Sequence, residues 1–179
     1  MERHYLSDPQ EVELIPNVAA GLRQLAKTGL GLVVITNQSG VGRGLFDMAR
    51  LRLIHQRMGD LLNAEGVHLN GIYVCPHTPE DHCRCRKPRT RLLAVAAREL
   101  DFDARVSFVI GDKLCDIEMG RRAGATTFLV RTGHGAHAGP ETLRAADYVV
   151  NDLAQAPHLI ERLPAYRRKG EVDAPALPA

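Results

Sequence analysis

"LGLVVITNQSGVGRG", Leu30 to Gly44, joins two kinds of sequence without a break. Leu30 to Ile35 is a continuous apolar run rich in β-branched side chains, and it stops at the polar pair Thr36 and Asn37. Such a run suits a strand buried on both faces of a parallel sheet. After it, Thr36, Asn37, Gln38 and Ser39, followed by Gly40, Gly42 and Gly44, put hydroxyls, amides and exposed NH groups where a strand meets a loop. A loop of that kind can cradle a phosphate, and an ordinary polar turn has the same composition. The spacing is not the dinucleotide-binding fingerprint, since the third glycine follows the second by two residues rather than three. Arg43 offers a bidentate fork for an oxyanion, or is simply a solvated loop arginine.

The same succession of apolar run and polar end repeats along the chain. Upstream, Val18, Leu22 and Leu25 recur at helical spacing between Asn17, a candidate cap, and Gly29, a stop. Downstream, Asp47 can cap a helix whose Leu51, Ile54, Met58 and Leu61 or Leu62 share one face, ending before Gly66. "GIYVC" reads as a short strand. A helix around Arg91 to Leu100 leads to "VSFVI", Val106 to Ile110, a buried strand that ends in polar "GDK". A helix near Asp116 to Ala123 precedes "TTFLV", and "DYVV" precedes a last helix starting near Asp152. Strands alternating with helices predict an α/β fold with right-handed crossovers and a mainly parallel sheet. Ligands of such sheets collect at the carboxyl ends of the strands, and the polar motifs fall at those ends.

With 179 residues, 45% of them hydrophobic, the chain suits one domain, expected over residues 1–163. The segment 164–179, "PAYRRKGEVDAPALPA", mixes charge with Pro and Ala without a period and is expected to be a disordered tail. Lys and Arg number 23 against 21 Asp and Glu, and their mixing argues against nucleic acid as the partner. Four Tyr, four Phe and no Trp leave little for base stacking. No apolar run approaches a bilayer span and no signal-peptide pattern follows Met1, so the expectation is a soluble cytoplasmic protein without a membrane partner.

"CPHTPEDHCRCRKP", Cys75 to Pro88, holds three of the four cysteines. Cys75, His77, Cys83 and Cys85 form C-x-H-x5-C-x-C, three thiolates and an imidazole, the ligand set of a tetrahedral structural zinc. Unpaired thiols or a redox pair are the alternative, and His82 can replace His77 by position. Cys115 stands apart and reads as a small packing residue. Arg86 and Lys87 directly follow the last cysteine, where a metal-pinned loop would hold two cations in place. Asp112 ends the "VSFVIGD" run with Lys113 beside it and Asp116 one helical turn on. A carboxylate there suits Mg²⁺ completed by water and phosphate oxygens, or else caps the following helix.

Together, "TNQSGVGRG", "CPH" with "CRCRKP", and "GDKLCD" resemble the haloacid dehalogenase superfamily of aspartate-nucleophile phosphatases, over about Tyr5 to Leu163. Within it "SGVGRG" is similar to the heptose bisphosphate phosphatase branch, whereas histidinol-phosphate phosphatases share the zinc loop but carry a different loop after "TNQ". The resemblance implies a Rossmann-like three-layer α/β/α fold and hydrolysis of a phosphorylated sugar in heptose biosynthesis by a monomer that uses Mg²⁺ and Zn²⁺. It assigns catalytic roles to Thr36, whose hydroxyl would stabilise the transferring phosphoryl group, and to Lys87, which would neutralise its charge. Asn37, Gln38, Ser39 and Arg43 would shape the substrate loop, Arg86 would recognise the sugar or its second phosphate, Lys113 would contact substrate and Asp112 would bind Mg²⁺.

The superfamily's first motif, Asp-x-Asp-Gly-Thr on the first strand, is absent. It supplies the carboxylate that attacks phosphorus, a second that shuttles the proton, and two magnesium ligands. The only Asp-x-Asp here, Asp101 and Asp103, precedes a strand and lacks the glycine. Either the natural chain starts further upstream or this one binds without catalysis; in both cases the sheet is expected to lack its first strand and to expose the neighbouring edges.

Overall fold

The computed structural model describes residues 5–163, so the expectations for 1–4 and for the tail 164–179 lie outside the described residues. β1 (Val33–Asn37) runs parallel to β2 (Gly71–Cys75), with Val33 opposite Gly71 and Asn37 opposite Cys75. β3 (Phe108–Gly111), β4 (Thr126–Val130) and β5 (Tyr148–Val150) form a second parallel sheet in that order. The helices are α1 (Val18–Lys27), α2 (Ser39–Gly42), α3 (Met48–Ala64), α4 (Arg91–Glu99), α5 (Leu114–Arg122), α6 (Pro140–Ala145) and α7 (Ala156–Ile160). This is the alternating α/β arrangement expected, with parallel strands and flanking helices. No described helix is long and apolar enough to cross a membrane.

The largest apolar cluster explains why the halves hold together. Leu25 of α1, Leu62 of α3, Leu32 and Val67 join Phe128, Val130, Val150, Ala156 and Ile160, so side chains from around both sheets share one core. On α3 the buried face is Leu51, Ile54 and Leu62, which decides for Leu62 over Leu61. Phe128 lies at its centre, fully buried, stacked on Tyr148 at 4.9 Å and edge-on to Phe108 at 6.2 Å. Thr127, also fully buried, is satisfied by Asp147: its NH and hydroxyl both donate to one carboxylate oxygen, at 2.8 and 2.7 Å. That pair ties β4 to the entry of β5.

Several local expectations change. Asn17 is not a side-chain cap: its backbone is left-handed, and its amide donates to Asp152 across the fold at 2.8 Å. Asp47 does cap α3, accepting from the Arg50 NH at 2.7 Å. Both strands expected to be buried on two faces start later than their apolar runs. More telling, β1 and β3 are only half-buried along their whole length, whereas four of the five residues of β4 are buried. The reason is topological. β4 has neighbours on both sides, while β1 and β3 each end a sheet, and no strand hydrogen-bonds one sheet to the other among the described residues. The glycine-bearing loop after β1 is a short helix, α2, rather than an open turn. The last helix begins at Ala156, after a 3₁₀ turn over Leu153–Gln155.

Phe128→Ala should remove both ring contacts and leave a cavity in the shared core. The expected loss is about 3–5 kcal/mol of unfolding free energy, read from urea denaturation followed by circular dichroism.

Candidate active site

At the carboxyl end of β1, Thr36 and Asn37 turn out to have different jobs. Gln38 donates its amide to the Thr36 hydroxyl oxygen at 3.0 Å, which leaves the hydroxyl proton available as a donor. Asn37 uses both ends of its amide on the main chain of Lys87, accepting from its NH at 3.0 Å and donating to its carbonyl at 3.3 Å. Asn37 therefore positions Lys87. Ser39, nearly buried at the start of α2, lies 3.3 Å from the Tyr5 hydroxyl. That hydrogen bond, with Arg43 and Arg86 nearby, draws the half-buried phenol below its ordinary range despite opposing desolvation.

Lys87 is the meeting point. Its ammonium donates to the Ile35 carbonyl at 2.6 Å and forms an ion pair with Asp116 of α5 at 2.7 Å, with only 13% and 9% of the two side chains exposed. Asp116 in turn accepts from the Lys113 NH at 3.1 Å, so it fixes the start of α5 as well. Asp112 does not cap that helix: one of its oxygens accepts from the His134 NH at 2.9 Å, and Lys113 stands at the cap position. Lys113 is exposed beside it. Burial pushes the nearby Cys115 thiol up, Asp116 adds to this, and Lys87, Lys113 and Arg86 oppose it.

The cysteine loop holds this arrangement from the other side. One ligand atom from each of Cys75, His77, Cys83 and Cys85 lies within 4.8 Å of every other. The sulfur separations are 3.3, 3.5 and 3.6 Å, and His77 Nδ1 lies 3.3 and 3.7 Å from two of the sulfurs. A tetrahedron of thiolates about 2.3 Å from a metal has edges of about 3.8 Å, so the quartet fits one closed four-coordinate ion with little adjustment. His77 is in the cluster and His82 is not, which decides the alternative that spacing left open. Burial pushes the Cys75 thiol up to about 12, with Cys85 adding to it. At Cys83 burial works the same way but is outweighed by the NH groups of Cys85 and Arg86 and by the neighbouring thiols, bringing it to about 7. Cys115 stays outside the cluster as a free, half-buried thiol.

The two loops are fastened together. Gln38 NH donates to the Cys75 carbonyl at 2.7 Å and Gly42 NH to the Pro76 carbonyl at 2.9 Å. A Cβ on Gly42 would stand 2.8 Å from that carbonyl oxygen, so the close approach needs glycine there. Arg43 reaches Glu80 at 3.5 Å, and Arg86 donates to the His77 carbonyl at 3.1 Å. Sequence reasoning gave no role to Tyr5 and did not recognise Asp116 as the partner of Lys87. In the sequence Asp116 stands out only by lying one helical turn beyond Asp112, and that spacing was the available signal.

A parallel α/β scaffold with hydroxyl, ammonium and carboxylate gathered at its strand ends defines a hydrolase of the haloacid dehalogenase class, and the HAD-hydrolase-like family model matches residues 84–156. The chain belongs, within that class, to the D-glycero-beta-D-manno-heptose-1,7-bisphosphate 7-phosphatase family. It is 38% identical over 170 residues to that phosphatase from Escherichia coli K12, covering 90% of this chain and 88% of the relative. Against the phosphatase from Photorhabdus laumondii the identity is 37% over 169 residues, covering 90% and 89%. The crystal structure of D,D-heptose 1,7-bisphosphate phosphatase from B. bronchiseptica complexed with magnesium and phosphate superposes with a TM-score of 0.78 at 34% identity, over 87% of this chain and 88% of that one. The enzyme from Burkholderia thailandensis gives 0.65 at 29% identity, over 87% and 90%.

Asp116→Asn should strand the Lys87 ammonium in a nearly dry site and cost about 3–5 kcal/mol, whereas Lys87→Met with Asp116→Leu should cost far less. Chemical denaturation of both variants beside the parent checks the difference; equal losses would show that the pair is not what the site depends on.

Proposed function

We propose that the chain serves hydrolysis of the 7-phosphate of D-glycero-β-D-manno-heptose 1,7-bisphosphate, contributing the substrate- and metal-binding part of the site. The observation that carries this reading is the convergence of Thr36, Lys87 and the Asp112–Asp116 turn at one rim, in a chain whose relatives bear that name. The Thr36 hydroxyl would donate to a non-bridging phosphoryl oxygen while Gln38 holds its oxygen. Lys87 would offset charge building on the transferring group, its position set by Asn37 and Asp116. Arg43, Arg86, Lys113 and Ser39 would take the sugar hydroxyls and the second phosphate. Small phosphorylated sugar is thus the partner, and a monomer acting in the cytoplasm is the setting we favour.

Two metals belong to this reading. The oxygen of Asp112 not taken by His134 suits Mg²⁺, a hard cation that accepts one or two carboxylates together with water and phosphate oxygens. Bound there, the ion would neutralise phosphate charge. Three sulfurs and an imidazole suit Zn²⁺ at the cysteine loop, and four protein ligands leave no open position for catalysis. That site would fix the segment carrying Arg86 and Lys87.

Attack on phosphorus needs a carboxylate at the rim, and the two acids assigned there have other work: Asp116 pairs with Lys87, and Asp112 holds the His134 NH with one oxygen and would hold the metal with the other. A second reading follows from this, a phosphosugar-binding module without turnover. Phosphate release from heptose 1,7-bisphosphate with Mg²⁺ separates the two. The 179-residue chain should bind the bisphosphate without releasing phosphate. The same chain preceded by a strand ending in Asp-x-Asp-Gly should release it, and Asp112→Asn in that longer chain should abolish most turnover. Absence of phosphate release from the longer chain would leave the binding module as the correct reading.

Metal content gives a separate check. The purified chain should carry one zinc by mass spectrometry, and Cys83→Ser should lose most of it; equal zinc in both would remove the cysteine loop from the proposal.

A further inference from the structure

The side chains assigned to the substrate are rich in donors. Arg43, Arg86, Lys87 and Lys113 donate hydrogen bonds and cannot accept them. The acceptors among them already have partners: the Thr36 hydroxyl oxygen takes Gln38, the Asn37 amide oxygen takes the Lys87 NH, and Asp116 takes Lys87. One oxygen of Asp112 takes the His134 NH, and the other is the one suited to the metal. Phosphate oxygens, which accept, match such a set. Sugar hydroxyls also donate, and so call for an acceptor that phosphate does not need.

Glu80 is placed to be that acceptor. It lies in the 3₁₀ turn Pro79–Asp81 of the cysteine loop, whose entry is fixed by the Thr78 NH donating to the Asp81 carboxylate at 2.7 Å. The turn follows directly on the contact with α2, where a Cβ on Gly42 would stand 3.1 Å from the Thr78 nitrogen. Just past that contact, a carboxylate oxygen of Glu80 lies 3.5 Å from the Arg43 guanidinium. Its own NH and the Thr78 hydroxyl hold the carboxyl below its ordinary range, so it is anionic at neutral pH. With 70% of the Glu80 side chain exposed, the carboxylate keeps lone pairs open to a ligand. An exposed pair at this distance adds little to folding, so a ligand re-aims either side chain at small cost.

We infer that Glu80 is a specificity residue: its carboxylate accepts a hydrogen bond from a heptose hydroxyl, while Arg43 beside it donates to the same ligand. This rests on the heptose bisphosphate reading and adds to it the group that tells a sugar from a bare phosphate ester. The same negative charge stands against phosphate, so it penalises a ligand that brings charge and no hydroxyl. Selectivity then has two sources, a hydrogen bond gained by one ligand and a repulsion felt by the other. Solvent around Glu80 keeps each of them modest.

The test is calorimetric titration of the full 179-residue chain, in the presence of Mg²⁺, with two ligands. One is heptose 1,7-bisphosphate; the other is heptane-1,7-diol bisphosphate, which has the same phosphates and carbon count and no hydroxyls. Glu80→Ala should weaken binding of the sugar bisphosphate roughly tenfold and tighten binding of the diol bisphosphate about threefold. Glu80→Gln, which keeps a carbonyl acceptor without the charge, should recover part of the sugar affinity and match Glu80→Ala toward the diol ligand. Three results would overturn the inference. They are unchanged affinity for both ligands, equal tightening of both, as if Glu80 only masked Arg43, and equal weakening of both, as if it only braced the loop. A parent chain with no affinity for the sugar bisphosphate would remove the functional reading itself, and the role of Glu80 with it.

Discussion

Above the shared apolar core, one ammonium group ties the strand ends of the two sheets to each other. Lys87 takes a main-chain carbonyl of β1 and a carboxylate of α5, while the neighbouring Pro88 carbonyl accepts from Arg122 at 3.3 Å on the same helix. The segment Arg86 to Pro88 therefore runs as a strap from one sheet to the other. An ion pair this dry adds little net stability, because desolvation offsets much of the attraction. Its effect is on geometry, since a buried charge tolerates few alternative arrangements.

The cysteine loop makes sense as the anchor for that strap. It begins at Cys75, the last residue of β2, and ends at Cys85, one residue before Arg86. Four ligand atoms already spaced for a tetrahedron mean that an ion could lock the loop without rebuilding it. Hydrogen bonds from Gln38 and Gly42 to the same loop carry the constraint across to Thr36 and α2. Arg43 and Arg86, on different segments, each bond to a group of the cysteine loop, so both cations refer their position to it.

The alternation of strands and helices was legible because buried parallel strands are written as continuous apolar runs, and the convergence of motifs followed from where those runs stop. The thiol quartet was legible because soft ligands at short spacing have few other uses. Other features had no such signature. Asn37 looked like a ligand for substrate, since nothing in a sequence distinguishes an amide that meets solvent from one that meets a main chain fifty residues away. Gly40 and Gly42 looked like an open cradle and instead permit a tight helix and a close loop contact. The half-burial of "VVITN" and "FVIG" depends on which strands lie alongside, a property of the sheet that no local pattern records.

The Asn37 clamp holds only main-chain atoms of residue 87. Address and cargo are thus separate at this point in the chain: the amide specifies where the residue sits, and the side chain specifies what it delivers. The clamp itself sets no limit on the side chain at position 87; the limit comes from the buried Asp116 carboxylate that the side chain has to answer. A scaffold organised in this way can exchange the chemistry at its rim by paired substitutions at positions 87 and 116, with the address left in place.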